Sequence, residues 1–290
     1  MYISFLLNRV VNWLERRRLV NLLLAIAYSV FIILMHDSVA KFSGVFLHWL
    51  TLPVYNQVVK CIFSILISSQ CTFLGWQLTI YREQWKLKLF YLLCTVAFIL
   101  IHFRTMFEMN IEIIHIYEYP ILCFLFFPFT RRFGAAVLFT LPIMLIDEWH
   151  QYMVLYVNYV QYFELNDVMI DIYGCGLATT TLFICHVKAC ETLNPLWKRS
   201  EFVLLACMLV ALFITIKTCY FSIYPAGACS NTYMILDKLP NPEIFWQQFP
   251  HRDVIYHVST PIEAVTIITL LCTFYFGLDN FREKKGWLIS

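Results

Sequence analysis

The stretch that decides the fold is Leu19–His36, LVNLLLAIAYSVFIILMH, eighteen residues with one amide side chain and no acidic or strongly basic group. A run of about 20 apolar residues crosses the hydrocarbon of a bilayer, and the lack of water there forces a backbone to close its own hydrogen bonds as a helix. Reading outward, comparable runs recur along the chain. The expected spans are 19–36, 57–81, 86–103, 110–129, 133–155, 166–187, 201–223 and 256–278. Composition agrees: 60% of the 290 residues are hydrophobic and 14% charged, with a mean hydropathy of +0.68. A soluble domain would be about half apolar and a quarter charged. The expected fold is therefore an all-α, polytopic transmembrane helical bundle of about eight spans, or six to seven if the short third and fourth do not cross.

Residues 1–18 lack a cleavage signature, and Leu6, Val10, Trp13 and Leu14 share one helical face, ahead of Arg16, Arg17 and Arg18. That pattern predicts an amphipathic interfacial helix. Lys and Arg placement then orients the bundle. With the amino terminus cytoplasmic, the inside segments hold Arg9, Arg16, Arg17, Arg18, Arg82, Lys86, Lys88, Arg131, Arg132, Lys188, Lys198, Arg199, Arg282, Lys284 and Lys285. These are 15 of the 21 basic residues, so both termini are expected in the cytoplasm. Four parts follow: 1–18, the N-terminal helices of 19–109, a core of 110–187, and a C-terminal pair in 188–290 with an outer loop at 224–255. Residues 37–56 are expected to lie flat or re-enter, and the proline-rich 224–255 loop to form an ordered lid or an ordinary outer loop. The net charge of +2 is spread thinly, which excludes nucleic acid as a partner and leaves membrane lipids. Of eleven cysteines, Cys219 and Cys229 are the pair able to share an oxidising face.

The chemistry-bearing residues concentrate between 112 and 171. Glu112, His115 and Glu118 recur at intervals of three, with Tyr119 four after His115. Asp147, Glu148, His150 and Gln151 lie together in DEWHQ, and Asp167 and Asp171 are one turn apart, followed by Gly174 and Ala178. The expected topology brings all three groups to the outer leaflet. Ionisable groups at membrane depth cost about 2.5–3.5 kcal/mol each on insertion scales, so they pair or line a wet cavity. Glu112, Glu164 and Asp167 read as interfacial first. His115, Glu118, Asp147, Glu148 and Asp171 read as a shared cavity, with Tyr119, His150, Gln151 and Asp167 as substrate-contacting residues. His186 reads as interfacial, and His251, His257 and Glu263 as outlying additions to the cluster.

The segment from about 110 to 180 resembles the VanZ-like membrane proteins. Their pattern is matched by His115 and Tyr119 in HIYEY, by Glu148 and Gln151 in DEWHQ, and by Asp167, Asp171 and Gly174 in NDVMIDIYGCG. The Arg that the family often carries before the first Asp has no counterpart in 155–166, and Ala178 stands where the family has Gly. The resemblance implies a bacterial cell-envelope protein in the cytoplasmic membrane. The family takes its name from a protein linked to low-level resistance to teicoplanin-type glycopeptides.

Three function classes compete. The first is an outer-leaflet enzyme acting on a lipid or lipid-linked headgroup. In it His115 and Glu118 serve as base or ligand, Glu148 as acid or ligand, and Asp171 as orienter. The same groups suit a divalent metal, with His115, Glu118, Glu148 and Asp171 as candidate ligands. Carboxylates alone favour magnesium or calcium, and an added imidazole favours zinc or manganese. The second is a non-catalytic binder or resistance factor for an amphiphile, walled by Tyr117, Tyr119 and Trp149. The third is a proton-coupled transporter, disfavoured because the first, second and eighth spans carry no deep charge. HExxH, GxSxG and P-loop signatures are absent.

Overall fold

The structure, a computed structural model, describes residues 2–107, 110–190, 198–248 and 255–282. Within them lie nine α-helices: α1 (Tyr2–Arg16), α2 (Arg18–Trp49), α3 (Leu52–Ile80), α4 (Trp85–Thr105), α5 (His115–Thr130), α6 (Phe133–His150), α7 (Leu165–Ile184), α8 (Ser200–Lys217) and α9 (Pro261–Arg282). Eight of them, α2 to α9, are long and apolar enough to cross a membrane. The chain is a multi-pass helical membrane protein.

Several boundaries differ from expectation. Residues 37–56 neither lie flat nor re-enter. No proline interrupts 37–49, so α2 continues to Trp49. α3 then starts at Leu52 with Pro53 in its first turn, where a missing N–H leaves no bond unmade. The seventh and eighth spans are trimmed, because β1 (Phe221–Ser222) follows α8 and β4 (Ile255–Tyr256) precedes α9. β1 pairs in parallel with β2 (Met234–Ile235), and β3 (Gln247–Gln248) pairs antiparallel with β4. The basic residues Lys284 and Lys285 lie outside the described residues, as do His251 and Arg252.

α7 is the centre of the bundle. It packs against α3, α4, α5, α6 and α9, and 89% of its apolar stretch is buried inside the protein. Glycine makes this possible. A Cβ on Gly174 would stand 2.8 Å from the carbonyl oxygen of Ile116, so the α5–α7 seam closes only without a side chain there. The fit of Gly174 to a small-residue packing position is as expected.

At the basic end, the α5–α6 turn is locked from three directions. Arg132, the residue before α6, makes no side-chain cap, and Asp279 of α9 supplies one instead. Its two carboxylate oxygens accept from the Phe133 and Gly134 amides at 2.6 and 3.0 Å. Two donors that the helix leaves open are thereby satisfied, at its positive dipole end. Arg132 pairs with the fully buried Glu201 of α8, Nη1 to Oε1 at 2.7 Å and Nη2 to Oε2 at 2.8 Å. Arg131 adopts a left-handed conformation (φ 53°) at the end of α5 and bonds Glu15, Asn12 and the Lys188 carbonyl.

α1 meets the bundle through polar residues. Its polar residues Asn8, Asn12 and Glu15 dock onto the bundle, through the backbone at His186 and Lys188 and through Arg131. Phe5, Leu6, Val10 and Trp13 point outward, while Val11 and Leu14 are buried. The larger apolar residues of α1 thus face away from the protein. His186 sits beside this helix, stacked on Tyr81 with ring centroids 5.7 Å apart.

Candidate functional site

Three helix ends meet at the opposite end of the bundle. A 3₁₀ turn, Asn110–Ile114, leads into α5 and delivers His115 as the first α-helical residue, so Glu112 and His115 do not share one regular helix. α7 begins at Leu165, which places Asp167 and Asp171 on one face in its first two turns. α6 supplies Asp147 and Glu148, then widens into a π turn, Gln151–Leu155. Single π turns inside helices often mark functional positions, since the extra residue re-aims nearby side chains. Here the turn brings Gln151 back onto Glu148, Nε2 to Oε1 at 3.1 Å.

His115 is the hub. Its Nδ1 lies 3.0 Å from Asp171 Oδ1, and its Nε2 lies 3.5 Å from Asp167 Oδ2. Ligand atoms of His115, Glu148 and Asp171 all fall within 4.8 Å of one another. Tyr119 donates its hydroxyl to Asp147 Oδ2 at 3.0 Å. These groups are sealed from water: His115 is 2% exposed, Glu148 1%, and Asp147 and Asp171 0%. Asp147, Glu148 and Asp171 make no ion pair with a lysine or arginine among the described residues. Asp147 Oδ1 and Asp171 Oδ2 are buried without a hydrogen-bond partner. Buried carboxyl groups of this kind are costly unless they are paired, protonated or metal-bound, and the pairings present here are the His115, Tyr119 and Gln151 contacts.

The sequence-predicted residues therefore divide. His115, Asp147, Glu148, Asp171, Tyr119, Gln151 and Asp167 come together. Glu118 is half-buried one turn beyond His115, within electrostatic reach of His115 and Asp147, and its carbonyl accepts from Tyr28 at 3.0 Å. His150 is half-buried and makes no hydrogen bond through Nδ1 among the described residues. His257 pairs with Glu263 at 3.3 Å and stacks on Phe245, so it makes its own contact. Two contributors come from unexpected places. His36 on α2 stands 5.6 Å from the His115 ring, and Tyr156 stands 6.5 Å from His36. Both are part-exposed and lie on the α2 side of the cluster. The signal was present as the pair His36-Asp37 closing the first apolar run.

The segment after α8 roofs this end. Tyr152 donates to the Ile235 carbonyl at 2.5 Å, the Phe163 amide to Leu236 at 2.7 Å, and the Lys238 amide to Gln161 at 2.7 Å. Asn166, beside Asp167, bonds the backbone of Met106, His257 and Ser259. Cys219 and Cys229 are joined by a disulfide. In the roof, burial pushes the Asp237 carboxyl above its usual range, partly offset by the Leu239 amide donating to it. Burial likewise raises the Tyr156 hydroxyl, with Asp37 adding to the effect. No known protein family, no curated protein and no solved structure matches this chain.

Proposed function

We propose that this chain is a VanZ-like protein of the bacterial cell envelope, and that its polar cluster acts chemically on the headgroup of a lipid or lipid-linked molecule at the outer leaflet. The observation that carries this reading is the buried His115–Glu148–Asp171 grouping, with Asp147 and Asp167 beside it and His36 of the lipid-facing α2 5.6 Å from His115. Packing alone gives no reason to bury four carboxyl groups around one imidazole. Asp171 and Asp167 orient the His115 ring, while Glu118, less buried and one turn away, is placed as the base. Tyr119 holds Asp147 for proton transfer.

Two features support the outer placement. The basic residues Arg131, Arg132 and Lys188 gather at the far end, as the positive-inside tendency requires of the cytoplasmic side. The Cys219–Cys229 disulfide lies at the cluster's end, where an oxidising compartment would keep it.

The test is reconstitution into vesicles of bacterial polar lipids doped with a lipid-linked wall precursor, followed over time by mass spectrometry of every headgroup. Wild type is expected to convert one component. Glu148→Gln and His115→Ala are expected to lose about 100-fold or more of the rate, in the range of a lost acid–base group, with the folded fraction unchanged. If no headgroup changes while one amphiphile co-purifies stoichiometrically, the protein is a binder and the enzymatic reading fails.

A further inference from the structure

The geometry points to a divalent transition-metal site built from His115, Glu148 and Asp171, one ligand from each of α5, α6 and α7. It rests on the reading of this cluster as a chemical centre and names the cofactor that the centre would use.

Three observations converge on it. First, the donor atoms of the three residues already lie within 4.8 Å of one another. Donors about 2.1 Å from a shared ion stand about 3.4 Å apart in a tetrahedron and about 4.2 Å across an octahedron. Small side-chain rotations close the difference, and His115 Nδ1 to Asp171 Oδ1, at 3.0 Å, is near a ligand edge as it stands. Second, two fully buried carboxylate oxygens here have no hydrogen-bond partner among the described residues, Asp171 Oδ2 within the trio and Asp147 Oδ1 beside it. A protonated imidazole alone would satisfy neither. Third, the surroundings have the form of an outer shell. With Nδ1 on the ion, Nε2–H faces Asp167 Oδ2 at 3.5 Å, the carboxylate–histidine arrangement that fixes a ligand's tautomer. Gln151 bonds Glu148 at 3.1 Å, and Tyr119 bonds Asp147 at 3.0 Å.

The ligand set selects the ion. One imidazole with two carboxylates suits zinc or manganese over calcium or magnesium, and three protein ligands leave positions open for water or substrate. A two-plus charge also balances the excess of carboxylates that no lysine or arginine offsets. Glu118, a candidate ligand by sequence, lies outside the trio. It would serve beside the site as the base of the proposed reaction, within electrostatic reach of His115 and Asp147.

The experiment is metal analysis by mass spectrometry of the detergent-purified full chain, then zinc or manganese titration of chelator-treated protein read by binding and by melting temperature. About one equivalent of metal is expected, lost in His115→Ala, Glu148→Gln and Asp171→Asn but kept in Glu118→Gln and His36→Ala. Asp167→Asn should weaken binding about 10- to 100-fold while leaving one site, as loss of an orienting carboxylate does. Should a ligand variant fail to fold, the wild-type titration decides alone: absence of saturable zinc or manganese binding overturns the site. So does full metal retention in all three folded ligand variants. A metal-free protein that still converts a headgroup overturns this inference and leaves the proposed function standing. A metal-loaded protein that converts nothing keeps the site and removes the function.

Discussion

α7 and α8 are both transmembrane helices, yet they sit at opposite extremes of the bundle. The apolar stretch of α7 is 89% buried with a mean hydropathy of 1.3, and that of α8 is 6% buried with a mean hydropathy of 2.1. The more hydrophobic helix is the more exposed one. In water the order would be reversed. Lipid tails are as apolar as leucine, so a purely aliphatic helix gains nothing by leaving them. A helix moves to the centre because of what lipid cannot satisfy. α7 carries Asp167, Asp171, Thr179 and Thr180, with Gly174 and Gly176 letting neighbours close in. α8 has its polar residues Ser200, Glu201, Thr215 and Lys217 near its two ends, and Glu201 is its one buried residue.

The sharpest way to break this contrast is Gly174→Leu. A side chain there meets the Ile116 backbone at 2.8 Å, and backbone cannot yield as a flexible side chain can. Loss of the monodisperse folded peak in size-exclusion chromatography is expected, beyond the usual overpacking cost of about 1–3 kcal/mol. Ala206→Leu on α8 should pass unnoticed in the same assay. If both variants behave alike, close approach is not what centres α7. Next in size is Arg132→Ala, which strands the buried Glu201 carboxylate and should cost about 3 kcal/mol, the low end for a broken buried pair because Arg132 is part-exposed. Hydrogen exchange should rise across α8 in particular. Replacing both partners with leucine should recover most of the loss, and failure to recover would mean that the pair does more than hold α8.

Asp279→Ala removes two charge-assisted bonds from the start of α6 and should destabilise by about 2 kcal/mol. A melting temperature indistinguishable from wild type would show that water caps α6 equally well. Smallest of all are Val210→Ala and Phe213→Ala on the exposed face of α8, expected within about 0.5 kcal/mol in detergent. A larger loss there would mean that this face is covered by protein.

Hydropathy alone located the crossing helices because each apolar run exceeds what a soluble helix needs, and that signal is local. The cluster was legible for a related reason: acids and imidazoles stand out against an apolar background, and alternating spans bring their ends together. What escaped was whatever depends on a non-local contact. Nothing in DEWHQYMVL announces a π turn, which arises where Gln151 must reach Glu148 and Tyr152 must reach the roof. The Asp279 cap joins residues 146 positions apart. Which face of α1 meets the protein was not legible, because amphipathicity identifies two faces without saying which one packs. His36 was hidden by the expectation that residues after it form a loop, when α2 carries on past it.

That continuation of α2 has a mechanical side. α2 is 32 residues long, which at 1.5 Å per residue is about 48 Å against a hydrocarbon thickness of about 30 Å, and the uncharged run Leu19–His36 ends where Asp37 and Lys41 pair at 2.6 Å. His36 rides on this overlong helix, with its ring 5.6 Å from His115. Tilting of α2 in the bilayer would therefore move the His36 ring relative to His115, whose helix α5 is held by its packing on α7.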